Sequence, residues 1–148
     1  KVFRCRNYKP AIKINASAEL KEVGLEQLPS NLNEIAALGR ITLTASNGEE
    51  IEIKADNWSG FGKMFNKNVS YLLIDQSRIA ATALMEQSDT YKISFYTDDN
   101  SKASVVIECK KAMSQKMTAE ELKSLNQNAD TSKQYTMYIG EVTKTLMR

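Results

Sequence analysis

Histidine is missing altogether from this 148-residue chain. Imidazole proton shuttles, Ser-His-Asp and Cys-His nucleophiles and histidine-ligated zinc are excluded with it. Two cysteines, Cys5 and Cys109, are too few for a thiolate-only structural zinc site. They lie far apart in strand-like runs, which favours buried free thiols over a disulfide, leaving the compartment open with an intracellular one favoured. No apolar run approaches the roughly 20 residues of a membrane helix, so no membrane contact is expected. Carboxylate and lysine chemistry, or none, is what stays open, and no metal or cofactor is predicted.

Charged residues make up 26% and hydrophobic residues 42%, the balance of an ordinary globular chain of one domain, long enough to bury a core without staples. It opens on Lys1 rather than Met, as a processed or trimmed product does. Three Asn-x-Ser triplets, at Asn15, Asn57 and Asn68, are no more than its many Asn and Ser residues give by chance.

The most legible stretch runs from Tyr91 to Lys110. Ile93 and Phe95 alternate with Lys92, Ser94 and Tyr96; Val105, Ile107 and Cys109 alternate with Ser104, Glu108 and Lys110. Period two marks strands with one buried and one wetter face, and the polar turn between them predicts an antiparallel hairpin. A second hairpin is read at ITLTA and EIEIKA, where Asn47-Gly48 accepts positive φ.

Helical spacing of Leu20, Val23 and Leu28 predicts one short segment; Leu32, Ile35, Ala36 and Leu38, ended by Gly39, predict another. Asp56 or Asn57 is read as the cap of a short helix burying Trp58, Phe61, Met64 and Phe65. Val69 to Asp75 reads as a strand. Propensity makes Arg78 to Met85 helical, but its place between two strands favours a meander strand, which is the expectation adopted. Thr118 and Glu121 form a capping box for a helix burying Leu122 and Leu125, and Tyr135 to Val142 closes the chain as a strand.

The expected fold is therefore α+β, mostly antiparallel sheet with two or three helices packed on it. Each half reads as a hairpin followed by a helix, so with two further strands before each hairpin the chain would be a duplicated ββββα unit, about 1–67 and 68–148. Trp58 to Lys67, read as W-x-x-F-G-x-x-F-x-K after the strand IEIK, resembles the strand-to-helix passage of a repeat in the PUR family of single-stranded nucleic-acid-binding proteins, and the related Whirly-type folds. That resemblance covers about ten residues. It implies curved sheets that hold unpaired bases on aromatic and polar side chains.

Single-strand binding needs cations along a backbone track and rings for stacking. Arg4, Arg6, Tyr8 and Lys13 at the basic start of the chain, and Lys92, Tyr96 and Lys110 on the hairpin's solvent face, are the candidates. The basic start also reads as an edge strand protected from aggregation by its charges, the reading favoured for this segment. The leading expectation is a non-enzymatic binder of single-stranded DNA or RNA. A protein-interaction module, partnering another protein or a second copy in a homodimer through exposed rings such as Tyr96 and Tyr138, is the alternative. A third reading takes Asp89, Glu108 and Lys110 at the hairpin's end as the carboxylates and lysine of a Mg²⁺-dependent nuclease, a layout similar to the D...ExK signature of restriction-type nucleases.

Overall fold

A computed structural model describes residues 19–97, 102–125, 127, 128, 132 and 134–148. These form an α+β fold of eight strands and three helices: β1 (Lys21–Val23), α1 (Leu32–Leu38), β2 (Arg40–Ala45), β3 (Glu50–Ile53), β4 (Trp58–Met64), β5 (Lys67–Asp75), α2 (Ile79–Gln87), β6 (Thr90–Tyr96), β7 (Val105–Met117), α3 (Ala119–Leu125) and β8 (Tyr135–Met147). Every pairing is antiparallel, in the order β3-β2-β6-β7-β8-β5-β4, with β1 joined to the far end of β8.

Both expected hairpins form in the register set by their apolar residues: Ile41 opposite Ile53 and Leu43 opposite Ile51 in one, Ile93 opposite Ile107 and Phe95 opposite Val105 in the other. Gly48 carries φ 93 in the first turn. The Thr118 capping box closes in both directions, Glu121 N–H to Thr118 Oγ1 at 3.1 Å and Thr118 N–H to Glu121 Oε1 at 2.9 Å. Leu122 is buried as expected, whereas Leu125, expected beside it, is exposed.

The sheet rolls up on itself. Trp58, on the edge strand β4, meets Phe95 of β6 edge to face at 5.1 Å, although β5, β8 and β7 separate their strands in the sheet. The other edge is drawn to the same place, since the Arg78 guanidinium after β5 donates to the Glu52 carbonyl of β3 at 2.7 Å. Rolling gives one apolar interior containing Ile41, Leu43, Leu72, Ile74, Ile93 and Phe95, with Leu32 and Ala36 of α1 and Leu84 and Met85 of α2 packed into it. Burying both ends of the sheet against each other removes apolar surface that a flat sheet would expose.

Three expected elements differ. The segment from Leu20 to Leu28 is strand β1 followed by a 3-10 turn at Leu25–Gln27 rather than a helix. Residues 79–87 are helix α2, so the propensity of IAATALMEQ prevailed over its position between strands. The helix expected from Trp58 is strand β4, and the helix that a ββββα repeat requires after the first hairpin is thus a strand. A β-bulge between Trp58 and Gly60 explains the misleading pattern. One extra residue shifts the strand's phase, so Trp58 and Phe61 share a face at a spacing of three, the spacing of a helix.

Candidate functional site

Where the two sheet edges meet, the chain builds a cavity of about 290 Å³ lined by Lys54, Asp56, Asn57, Asp75, Ser77, Arg78 and Tyr135. Its first wall is the 3-10 turn Ala55–Asn57, which links β3 to β4. Buried Asn57 holds that turn: its Oδ1 accepts the Lys54 N–H and its Nδ2 donates to the Leu73 carbonyl of β5, both at 2.9 Å. An amide that serves as donor and acceptor at once can staple a turn to a neighbouring strand, which an aliphatic residue cannot do.

The opposite wall is the turn after β5. Asp75 accepts the Ser77 N–H at 3.0 Å and the Ser77 hydroxyl at 2.8 Å, an Asx turn that reverses the chain into α2. Gln76 ties it to the start of β8 through the Thr136 hydroxyl at 2.7 Å and the Gln134 carbonyl at 2.8 Å. Arg78 follows, its guanidinium anchored on Glu52 with further N–H groups to spare. Two cations, Lys54 and Arg78, thus line the cavity from its two walls with the Tyr135 side chain, and the Asp75 carboxylate lines it too, accepting from its own turn. Asp56 is the remaining acid at the rim.

Three residues from Asn57, Gly60 has φ 98, and a β-carbon there would meet nothing within 4 Å. The bulge therefore offers an open patch of backbone, within about 10 Å of the cavity along an extended strand. Lys54, Arg78 and Gly60 are not among the site residues to which the sequence points. The visible signal was the Asp-x-Ser turn before an alanine-rich run, which marks a turn into a helix.

The residues expected to bind or react are distributed otherwise. Arg4, Arg6, Tyr8 and Lys13 lie outside the described residues. Lys92 reaches Glu108 at 4.0 Å. Tyr96 is only 9% exposed, with the Arg40 guanidinium 3.9 Å over its ring and its hydroxyl 3.5 Å from Glu50 Oε2. Tyr138, expected exposed, is fully buried; its hydroxyl donates to Glu86 Oε2 at 2.8 Å, and burial raises its pKa ahead of that carboxylate. Lys110 pairs with Thr90, and Asp89 uses its carbonyl to accept the Lys111 N–H at 2.7 Å. Among the described residues no group of three or more acids or cysteines could hold a metal ion.

Lys92 and Glu108 instead line a shallow cavity of about 350 Å³ with Tyr91 and Cys109. Cys109 is a free buried thiol, its pKa pushed up to about 12 by burial. Tyr91 is raised as well, first by burial and then by the thiol beside it. Its hydroxyl makes no hydrogen bond of ordinary geometry; Cys109, a weak acceptor, is its polar neighbour. Both groups are held neutral, a packing role rather than a nucleophile's.

No protein-family model matches the chain, and no curated protein does. Among solved structures, the chain is similar to the flavin reductase of styrene monooxygenase from Pseudomonas putida S12, at 12% identity and TM-score 0.46 over 80% of this chain and 86% of that one. It is also similar to 2-nitrobenzoate 2-nitroreductase from Pseudomonas fluorescens, at 11% identity and TM-score 0.45 over 86% and 77%. The expectation of a non-enzymatic single-strand binder working through the sheet face is corrected by the sheet face itself: its described ring, Tyr96, is covered, and one of its two described cations, Lys92, is opposed by Glu108.

Proposed function

We propose that the chain binds a phosphate-bearing planar small molecule of the flavin mononucleotide class, with the phosphate in the seam cavity between Lys54 and Arg78 and the ring system against the open backbone at Gly60. The observation that carries the reading is the pair of cations on opposite walls of one cavity, one of them fixed in place by a neutral carbonyl rather than by a carboxylate. An anchored guanidinium loses little freedom on binding an anion and offers the fork of donors a phosphate accepts. Cavities at the mouth of a rolled sheet, with a few convergent polar groups, are where small ligands are held. A bound flavin would supply electron or hydride transfer, chemistry this histidine-free chain does not carry in its own side chains. The chain's part is to fix the phosphate and to bring backbone rather than side chains against the ring.

The test is a titration followed by flavin fluorescence, comparing flavin mononucleotide with riboflavin, which lacks the phosphate. Flavin mononucleotide is expected to bind at least about tenfold tighter, and Lys54→Gln and Arg78→Gln each to erase most of that difference while leaving riboflavin unchanged. Equal affinity for the two flavins, or no saturable binding of either, overturns the proposal.

A further inference from the structure

A third cavity, of about 480 Å³, lies on the other side of the Asn57-Trp58 step, between β4 and the segment joining β1 to α1. Its apolar lining is the rings of Trp58 and Phe61, set edge to face at 5.2 Å and 79°, with Leu25, Leu28 and Leu32; Ser30 and Asn33 add polar surface beside them. Trp58 is 4% exposed, and its indole N–H is spent on the Ser70 hydroxyl at 2.9 Å, so only a carbon edge of the indole reaches the cavity and no donor does. The bulge at Ser59-Gly60 is what turns both rings to this side of the strand.

One cation stands on the cavity. Lys63 is two residues beyond Phe61 on the same face, directly opposite Asn68 of β5, and both line the cavity. The sheet lysines Lys67 and Lys92 have carboxylates within reach, Glu141 at 3.5 Å and Glu108 at 4.0 Å, whereas no ion pair involves Lys63 among the described residues. The acid on this cavity, Glu26, is folded back on its own turn, its Oε1 2.2 Å from where a β-carbon on Gly24 would stand. An ammonium beside a carboxamide, above a floor of aromatic edges and leucines, is complementary to an anion carried on an aromatic body.

We infer that this cavity is a binding site for a small aromatic monocarboxylate, its ring packed against Trp58 and Phe61 and its carboxylate on Lys63 and Asn68. The volume suits one or two fused rings with a short acid arm. Edge-to-face packing favours a flat ring over an alkyl chain of equal area, and the charge-assisted bond to lysine separates the acid from its neutral analogue. The site involves neither Lys54 nor Arg78, so it stands independently of nucleotide binding.

Trp58 is the single tryptophan of the chain and lines this cavity, so its emission responds to a ligand bound there. The experiment titrates the full chain, free of any nucleotide, with 3-phenylpropanoate and with 3-phenylpropan-1-ol, exciting only the indole. A saturable change is expected with the acid, about tenfold tighter than with the alcohol, and Lys63→Met is expected to bring the acid down to the alcohol's affinity. Lys63 is exposed, so the folded state survives the substitution, and far-ultraviolet circular dichroism verifies it. Equal affinity for acid and alcohol overturns the inference, as does unchanged emission at millimolar acid or an acid affinity that Lys63→Met leaves intact.

Discussion

The hydroxyl of Tyr91 occupies the space that a side chain on Gly140 would need: it lies 2.1 Å from where a β-carbon on that residue would stand. Tyr91 is on β6, Cys109 opposite it on β7 and Gly140 on β8, so the phenol ring spans the intervening strand and ends over the glycine. Gly140→Ala should therefore strain the interior by about 1–3 kcal/mol, read as a lowered urea midpoint. Tyr91→Phe should recover part of that loss in the double variant, because it removes the colliding oxygen but not the ring carbon at 2.9 Å. An additive double variant would refute the contact.

The same hydroxyl is buried without a good acceptor. Tyr91→Phe alone should therefore be neutral or stabilising, in contrast to the usual cost of removing a buried polar group.

Buried groups held neutral make stability depend on alkaline pH. Cys109 rises from 9.0 to about 12 on folding, and Tyr91 and Tyr138 are also raised, chiefly by burial. Above pH 9 the unfolded thiol releases a proton that the folded one keeps. The unfolded state then binds fewer protons, and stability falls as pH rises from about 9 toward 12, by roughly 1.4 kcal/mol per pH unit for each such group. Urea unfolding followed from pH 7 to 11 should be flat at first and decline beyond pH 9, with Cys109→Ala delaying the onset to the tyrosine range. A flat profile through pH 11 would contradict the burial of these groups.

Ser70→Ala should cost about 1–3 kcal/mol, because it strands the Trp58 indole N–H in the interior. A shift of tryptophan emission should accompany it, since this is the chain's single tryptophan.

Phe65 and Asn66 form the two-residue turn between β4 and β5 with φ of 51 and 66, and Phe65 is 95% exposed. A bulky residue in the left-handed region stores roughly 1–2 kcal/mol, and this ring buries nothing in return. Phe65→Asn should stabilise the fold by about that free energy, read as a raised urea midpoint.

What the sequence determined by itself was local. The alternation in Ile41, Leu43, Ile51 and Ile53, the Asn47-Gly48 turn, the central hairpin from Tyr91, the Thr118 capping box and the α+β class all follow from spacing and from residues whose backbone preferences are short-range. Tertiary structure decided what spacing could not. The Trp58-Phe61 interval is helical in period but belongs to a bulged strand, because rolling the sheet rewards burying Trp58 against Phe95 with Phe61 packed on its edge. Tyr96 and Tyr138 alternate as solvent-facing residues would, yet both are buried: Arg40 covers the ring of one, and the other lies in the apolar interior. The seam cavity brings Lys54 and Arg78 together across 24 residues only when the two sheet edges meet, and long-range closure of that kind leaves no period in the chain to read.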